Sequence, residues 1–259
     1  MMLLVLSLTS DCNLRCVYCY ARGGERKEYM KLSTAKKAIE EHYSERLKVQ
    51  FTGGEPLLNY RLIRRLAERY EARFSVQTNG TLLTAGKAEE LSNLGVKIGI
   101  SLDGPADVND RLRPYADGSG STGDVLRAMM LLKNHDIPYG VTCVVTRENQ
   151  DKLKELVDIA YAFGAKSVSF DALKRAGRGT NLAPPDVRFI EDAMKYSILS
   201  GYRLRFRNIL QRELGLKCAA LEGKSIFVTP KGRVMRSCAT LASIGIEKTT
   251  CCPFRSQDL

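Results

Sequence analysis

Three cysteines lie close together in the segment "SDCNLRCVYCY", which covers residues 10–20. Cys12, Cys16 and Cys19 follow a C-x3-C-x2-C spacing. Four ligands close a structural zinc site, and a four-iron cluster also has four ligand places. Three thiolates therefore leave one place for a distant side chain or for a molecule outside the chain.

Three interpretations of this triplet are open. The chain has only two histidines, His42 and His135, and both lie far from the loop, so a zinc site would need a distant cysteine. An iron–sulfur cluster held by three thiolates keeps one iron open to an exogenous ligand. Unligated core cysteines are the third interpretation, but Asp11, Asn13 and Arg15 in the same loop disfavour it. The residues favour the cluster.

Strand-like runs alternate with helix-like runs up to about residue 200. The strand-like runs are short and rich in β-branched residues, at 3–9, 48–52, 74–78, 96–102, 139–146 and 166–173. Amphipathic stretches lie between them, at 33–47, 60–70, 85–94, 122–134 and 151–163. Ser33 is a predicted N-cap, and Gly95 and Gly164 follow predicted helix ends. This alternation predicts an α/β fold with a parallel sheet and right-handed crossovers, whether closed or open.

Chemistry in such a sheet gathers at the carboxyl ends of the strands. The cysteine loop follows the first predicted strand, "GGEP" the second, "NG" the third and "DGP" the fourth. Glycines let backbone carbonyls approach a small ligand closely, so Gly53 and Gly54 are candidate contact residues, although a glycine pair is also common in plain turns. Cys143, inside the fifth strand, is predicted to be a small buried apolar residue. Residues 174–185, rich in glycine, proline and arginine, are predicted to form an exposed loop.

The triplet, with the aromatic Tyr18 before its last cysteine and "GGEP" after the second strand, resembles the signature of the radical S-adenosylmethionine (radical SAM) enzymes. This resemblance implies a partial (βα)6 TIM-like barrel. It also implies that Cys12, Cys16 and Cys19 bind a [4Fe-4S] cluster whose fourth iron is chelated by S-adenosylmethionine. Reductive cleavage of that cofactor would give a 5'-deoxyadenosyl radical, which abstracts a hydrogen from the substrate.

The segment "SLDGPADVNDRLRP" (101–114) resembles the branch that contains anaerobic sulfatase maturases and other peptide-modifying members. By position, the resemblance implies that Ser101 contacts the cofactor ribose, Arg113 its carboxylate, and Leu173 and Tyr18 its adenine. Arginine suits a carboxylate because its planar donors bind both oxygens. A surface salt bridge for Arg113 and core packing for Leu173 are the alternatives. The implied cofactor-binding residues are Tyr18, Gly53, Gly54, Glu55, Ser101, Arg113 and Leu173.

The pattern changes after residue 200, which predicts a barrel over 1–204 and a small second module over 205–259. Residues 202–207 and 224–237 are predicted to form short strands, the latter around a turn at 230–232. The spacing Cys218-x13-Gly232-x5-Cys238 resembles the opening of an auxiliary-cluster extension, called SPASM with two clusters and twitch with one. The resemblance implies one auxiliary iron–sulfur cluster in this module. Its metal ligands would be Cys218, Cys238, Cys251 and Cys252.

A zinc-stabilised hairpin and a metal-free module are the alternatives for this region. In the sulfatase maturases an aspartate follows the cysteine of the glycine–cysteine motif and is assigned as a base. Here that position is Ala239, so formylglycine formation is not expected.

Charge and apolar content indicate which classes of partner and which cellular compartment to expect. Forty lysines and arginines against 29 acidic residues give a net charge of +11, but the basic residues are spread along the chain. This spread favours general surface charge or an acidic substrate over a nucleic-acid partner. The apolar run at 1–6 is too short for a membrane span and has no basic stretch before it. No membrane association and a cytoplasmic location, where clustered cysteines hold metal, are expected.

Together these features predict a radical SAM enzyme that modifies a peptide or protein side chain and draws electrons from a ferredoxin- or flavodoxin-type partner. No leader-recognition domain is expected before residue 3, so recognition would depend on the barrel mouth or a partner. One alternative is cofactor biosynthesis on a small molecule or nucleotide, as in the molybdenum-cofactor cyclase. Another is a non-catalytic iron–sulfur electron carrier or a zinc-stabilised binding module. Neither of those needs an S-adenosylmethionine pocket, so "GGEP" and Ser101 disfavour them.

Overall fold

The structure, a computed structural model, describes residues 2–207 and 225–235. Within these residues one sheet has the order β7-β6-β5-β4-β3-β2-β1-β8-β9. Every neighbouring pair is parallel except β8 and β9. The predicted α/β fold with a parallel sheet is confirmed. The strands are β1 (Leu3–Ser7), β2 (Lys48–Thr52), β3 (Arg73–Thr78), β4 (Lys97–Ser101), β5 (Tyr139–Val145), β6 (Ser167–Ala172), β7 (Arg205–Arg207), β8 (Ser225–Val228) and β9 (Val234–Met235).

Helices connect the parallel strands, because parallel neighbours need a long crossover. Gly95 and Gly164, with φ of 69° and 82°, follow the ends of α3 and α6 as predicted. The sequence pattern does not predict α4 or α7. The helices of the described residues are α1 (Leu32–Glu41), α2 (Tyr60–Arg69), α3 (Ala85–Asn93), α4 (Ala106–Leu112), α5 (Thr122–Asn134), α6 (Leu153–Ala162) and α7 (Arg188–Leu199).

The predicted start of α1 is wrong. Lys31, not Ser33, occupies the N-cap position, and its side chain makes no capping hydrogen bond. The buried Met30 donates its backbone N–H to the carbonyl oxygen of Leu8 (2.8 Å). This contact fixes the chain just before Lys31, so the helix begins at Leu32, ahead of the predicted cap at Ser33. The helix also ends at residue 41 and does not continue to 47.

The two faces of the sheet differ in polarity. Leu6, Phe51 and Val76 face the helices and belong to the main apolar core. The alternate residues of the same strands point to the other face and are largely polar, as in Thr52 and Gln77. Strands of a parallel sheet with two packed faces are usually apolar throughout. The polar face therefore lines the inside of a partial barrel, where its side chains can form hydrogen bonds with a ligand.

Both edges of the sheet extend past the first six strands. β7 pairs with β6, and β8 pairs with β1. β8 and β9 form the predicted hairpin, and its turn contains Gly232 at a φ of 85°. The division of the chain at residues 204 and 205 stays a prediction. Four predicted metal ligands lie outside the described residues, as does Ala239: Cys218, Cys238, Cys251 and Cys252.

Candidate active site

The cysteine loop leaves the carboxyl end of β1, and its three thiols are all half-buried. Burial raises the pKa of Cys12 most, and the charges of Cys16 and Cys19 raise it further, so the three sulfurs share one environment. Backbone N–H groups donate to two of the sulfurs: Leu14 to Cys12 Sγ (3.4 Å) and Gly23 to Cys19 Sγ (3.3 Å). Hydrogen bonds of this kind stabilise thiolates that ligate iron–sulfur clusters.

Burial keeps the thiols of Cys12 and Cys16 protonated unless a cation is present. It raises the pKa of Cys12 to about 12, and it also raises the pKa of Cys16, where Arg113 and Arg178 partly oppose it. A metal lowers the pKa of a coordinating thiol strongly enough to deprotonate it. Within residues 2–207 and 225–235, no three ligand-type side chains converge as a single metal ion would require. Three soft sulfur donors in one environment fit an iron–sulfur cluster.

Arg15 fixes the first half of the cysteine loop from within. Its Nη1 donates to the carbonyl oxygens of Cys12 (2.7 Å) and Leu14 (2.9 Å), and its Nη2 donates to that of Gly24 (3.1 Å). One guanidinium thereby satisfies three backbone carbonyl oxygens of the loop. Arg15 therefore acts on the backbone of the loop.

Arg178 fixes the second half of the loop from a distant part of the chain. Its Nε donates to the carbonyl oxygen of Cys16 (2.8 Å), its Nη2 to that of Gly23 (3.2 Å), and its backbone N–H to that of Cys19 (3.0 Å). Its Nη1 also pairs with Glu25 at 2.8 Å. The side chain is only 20% exposed, so the predicted exposed loop at 174–185 is wrong at this residue. An arginine in a glycine-rich segment that also contains Arg175 gives no sequence signal for this contact.

The glycines of "GGEP" lie against the cysteine loop. Gly53 has a φ of 142°, and a Cβ there would overlap the carbonyl oxygen of Thr9. A Cβ on Gly54 would overlap the carbonyl oxygen of Asp11. The close approach that the structure describes is thus between two loops, which places "GGEP" beside Cys12. The contact of both glycines with a cofactor stays a prediction.

Glu55 is fully buried and joins the "GGEP" loop to the end of β3. Its Oε1 accepts hydrogen bonds from the Thr78 hydroxyl (2.6 Å) and the Leu57 N–H (2.9 Å), and its Oε2 accepts one from the Asn79 N–H (2.8 Å). Burial raises the pKa of this carboxyl, and the three hydrogen bonds oppose that rise. Protein donors occupy both oxygens, so the side chain shapes the loop. The contact of Glu55 with a cofactor stays a prediction.

An asparagine pair links the cysteine loop to the end of β3. Asn79 Nδ2 donates to Asn13 Oδ1 (2.9 Å), and Asn13 Nδ2 donates to the Thr81 hydroxyl (2.7 Å). Asn79 Nδ2 also lies 4.0 Å from Cys12 Sγ. The "NG" after β3 marked this position as a strand end, but only the structure shows that it contacts the cysteine loop.

Tyr18, Asp103 and Arg113 form a buried cluster beside Cys16. The Tyr18 hydroxyl donates to Asp103 Oδ2, and Arg113 Nη1 donates to the Tyr18 hydroxyl and lies 3.4 Å from Asp103 Oδ2. Burial raises the pKa of Tyr18 well above its usual range, so the phenol stays neutral. Asp103 Oδ1 accepts a hydrogen bond from the Val144 N–H (2.8 Å). The sequence marks "DGP", which begins with Asp103, as a strand end but does not predict these contacts.

Arg113 is 7% exposed, so the surface salt bridge is excluded. Its Nε is buried without a hydrogen-bond partner among the described residues. Buried donors are rarely left unpaired. A guanidinium with one unsatisfied donor, beside Cys16, fits the predicted carboxylate of S-adenosylmethionine.

Ser101 has polar neighbours and Leu173 has apolar ones. Ser101 Oγ accepts a hydrogen bond from Gln77 Nε2 (3.0 Å), and Gln77 Oε1 accepts one from the Thr142 hydroxyl (3.2 Å), which forms a polar row across the inner face. Leu173 packs with Tyr18 in a small apolar cluster. The predicted contacts of Ser101 with a ribose and of Leu173 with an adenine stay predictions.

A cavity of about 760 Å³ lies beside the cysteine loop, between the end of β1 and the β8–β9 hairpin. Its deeper surface includes Ser7, Thr52 and Phe227 of the inner face, together with Gly23 and Gly53. Its mouth carries exposed charged side chains from residues 22–28 and 231–233. The volume is that of a site for a small molecule or a few residues of a peptide.

The sequence model of the Radical SAM superfamily matches residues 6–160 of this chain. The match covers the three cysteines, the "GGEP" loop, Asp103 and Arg113. The chain belongs to the radical SAM superfamily.

Relatives of this radical SAM protein have diverse activities. It is 37% identical over 250 residues to an uncharacterised protein of Methanocaldococcus jannaschii, covering 93% of this chain and 86% of that protein. It is 28% identical to the Fe-coproporphyrin III synthase of Methanosarcina barkeri, over 75% of this chain and 50% of that protein. It is 27% identical to the cysteine-type anaerobic sulfatase-maturating enzyme of Clostridium novyi, over 60% of this chain and 46% of that protein. The chain therefore spans about half the length of these two enzymes.

The solved structure of native anSMEcpe with bound AdoMet shares the fold, with a TM-score of 0.74. The identity is 22%, and the match covers 91% of this chain and 74% of that one. The expected partial TIM-like barrel is thus confirmed. The family uses S-adenosylmethionine and a [4Fe-4S] cluster, which agrees with the three thiols and the unpaired Nε of Arg113 described above.

Proposed function

We propose that this radical SAM enzyme modifies a side chain of a peptide or protein that enters the cavity beside the cysteine loop. The observation that carries the proposal is the position of this cavity. It reaches Gly23 and Gly53 next to the predicted cluster ligands, while its mouth is open and charged. A single side chain can reach the loop while the rest of the peptide stays outside. The relative that matures sulfatases supports a protein substrate.

The residues of the chain have separate roles in this proposal. Cys12, Cys16 and Cys19 hold the cluster, Arg113 binds the cofactor carboxylate, and Ser101 contacts the ribose. When bound, the cluster and S-adenosylmethionine supply a 5'-deoxyadenosyl radical that takes a hydrogen atom from the substrate. The buried Tyr18 and Asp103 position the guanidinium, because they hold Nη1 of Arg113 while its Nε keeps no partner among the described residues.

Other parts of the proposal concern residues or partners beyond the described structure. An electron donor of the ferredoxin or flavodoxin type would reduce the cluster, and one auxiliary cluster would be held by the four cysteines after residue 204. A cytoplasmic location, where clustered cysteines hold metal, is also part of the proposal. Among the described residues, no helix has the length and apolarity needed to cross a bilayer. A nucleic-acid partner is not part of the proposal.

A small molecule is the second candidate substrate. The Fe-coproporphyrin III synthase relative favours it, and the cavity volume is compatible with a compact ligand as well as with a few peptide residues.

The first test measures radical generation in the full chain. After anaerobic reconstitution with iron and sulfide, dithionite and S-adenosylmethionine should give 5'-deoxyadenosine. Cys16→Ala should abolish this product, whereas Cys143→Ala should not, because Cys143 lies in the core outside the loop. Equal product from both variants would contradict the cluster assignment.

The second test separates the two substrates. A library of short peptides and a panel of porphyrins are each added to the reconstituted enzyme, and 5'-deoxyadenosine and substrate mass are followed. A mass change in a peptide supports the proposal. Stimulation by a porphyrin and by no peptide would replace it with the small-molecule function.

A further inference from the structure

One wall of the cavity is predominantly basic. Arginines and a lysine outnumber the glutamates on it, four to two. One of the glutamates, Glu25, lies nearer to Arg178 (2.8 Å) than to Arg22 (3.7 Å), and Arg178 does not line the cavity. Arg178 therefore neutralises Glu25 and leaves a positive surplus facing the cavity. The wall consists of Arg22, Arg26, Lys231 and Arg233 with Glu25 and Glu28.

The ion pairs of this wall are exchangeable. Lys231 pairs with Glu28 at 2.8 Å, but the two side chains are 75% and 30% exposed. Exposed pairs of this kind add little stability, because water competes for both charges. A carboxylate of a bound molecule can therefore take the place of Glu28 on Lys231 at little cost. The same holds for Arg22, whose pairing with Glu25 is longer and whose side chain is 61% exposed.

Arg22 also has an unusual backbone. Its φ is 49°, in the left-handed region that residues with a Cβ seldom adopt, and its N–H donates to the carbonyl oxygen of Cys19 (3.3 Å). Glycine or asparagine would suit this conformation better. An arginine held at a strained position, one turn from a predicted cluster ligand, suggests that its side chain has a use there.

We propose that this basic wall binds carboxylate groups of the substrate. Arginine donors match the two oxygens of a carboxylate, and the glutamates of the wall already place carboxylates on these cations. The substrate is then either an acidic peptide or a small polycarboxylate. The inference rests on the proposed function, since it takes the cavity as the substrate site.

Binding to the reconstituted enzyme in the presence of S-adenosylmethionine tests the wall directly. One pair of probes is coproporphyrin III and its tetramethyl ester, and the other is a blocked hexaglutamate peptide and its hexaglutamine counterpart. In at least one pair the acid should bind about tenfold or more tightly than the neutral probe, and the preference should fall with salt. The pair that responds identifies the source of the carboxylates. No preference in either pair would overturn the proposal, and so would inorganic phosphate that displaces the acid at equal concentration.

Variants locate the effect. The triple change Arg22→Gln, Arg26→Gln and Lys231→Gln should weaken acid binding about tenfold or more. The control is the triple change Arg61→Gln, Arg65→Gln and Lys154→Gln, which alters the net charge equally at exposed sites on α2 and α6. Its affinity for the acidic probe should be within about twofold of that of the wild type. An equal loss in both would show that only net charge matters and would overturn the proposal.

A charge-preserving variant protects the test against misfolding. Arg22→Lys, Arg26→Lys and Lys231→Arg should retain the preference for the acid, even where the glutamine variant fails to fold. Loss of the preference in this folded variant would contradict binding by charge. The production of 5'-deoxyadenosine is measured separately. If 5'-deoxyadenosine forms but the acid is not preferred, only the proposal about the basic wall is wrong. If the acid is preferred but no 5'-deoxyadenosine forms, only the proposed function is wrong.

Discussion

Replacement of Arg178 by methionine should loosen the cysteine loop without touching a cysteine. Methionine has a similar length, but it lacks the donors that reach Cys16 and Gly23 and the charge that pairs with Glu25. A hydrogen bond to a charged group contributes about 1.5–3 kcal/mol, so the two bonds to carbonyl oxygens give about 3–6 kcal/mol. The ion pair with Glu25 adds at most about 1 kcal/mol. Because the guanidinium is 20% exposed and water partly screens its interactions, we discount this sum to about 2–4 kcal/mol for the whole contact.

This free energy holds the loop closed around the cluster, so its loss should appear as faster release of iron. A change of about 1.4 kcal/mol is a factor of ten, and 2 kcal/mol corresponds to about thirtyfold. In Arg178→Met, the visible absorbance of the cluster should therefore decay at least about tenfold faster with an excess of chelator, under anaerobic conditions. Arg178→Lys should be intermediate, because one ammonium cannot reach both carbonyl oxygens in the same way.

Arg175→Met is the matched control, since Arg175 lies in the same segment but is exposed. It should release iron at the wild-type rate. If Arg178→Met releases iron no faster than Arg175→Met, the contact with the cysteine loop does not stabilise the cluster, and the role assigned to Arg178 is wrong.

Three further changes test the surroundings of the loop. Gly53→Ala should lower the free energy of unfolding by more than about 3 kcal/mol, because the new Cβ would overlap a carbonyl oxygen at a positive φ. Gly86→Ala, in an exposed helical position, should raise the free energy of unfolding by up to about 1 kcal/mol. Urea unfolding measures both changes. Glu55→Gln should cost about 1–3 kcal/mol in the same assay, because its amide cannot accept from all three donors that surround the carboxylate. Asp103→Asn removes the charge facing Arg113 and should raise the KM for S-adenosylmethionine with the cluster content unchanged; an unchanged KM would exclude this positioning role.

The sequence predicts the elements better than the contacts between them. The five predicted helices and six predicted strands exist because their apolar periodicity and β-branched content are local properties, and Gly95 and Gly164 end helices through their own backbone freedom. The glycines of "GGEP" were predicted to approach a small ligand, which stays a prediction, whereas the structure shows each of them against a backbone carbonyl more than forty residues away in the chain. Strand alternation does not reveal such a partner.

Long-range polar contacts are the part that sequence reasoning missed. Arg178 and Asp103 act on residues more than eighty positions away, at Cys16 and Tyr18. Arginine and aspartate are ordinary surface residues, so their type carries no signal of burial. Their role follows only from the folding of the loop after β6 and the end of β4 onto the cysteine loop. Arg113 was found because its neighbours resemble a known segment, and not from its own chemistry.

Arg178 connects the cysteine loop to the basic wall of the cavity. It holds two carbonyls of the loop and at the same time keeps the carboxylate of Glu25 at 2.8 Å. Without Arg178, Glu25 would pair with Arg22 and cancel a positive charge of the wall. Arg178→Met should therefore also weaken binding of the acidic probe, although Arg178 does not line the cavity, and a second change, Glu25→Gln, should restore it. If Arg178→Met binds the acidic probe as tightly as the wild type, Glu25 does not reduce the positive charge of the wall when Arg178 is absent.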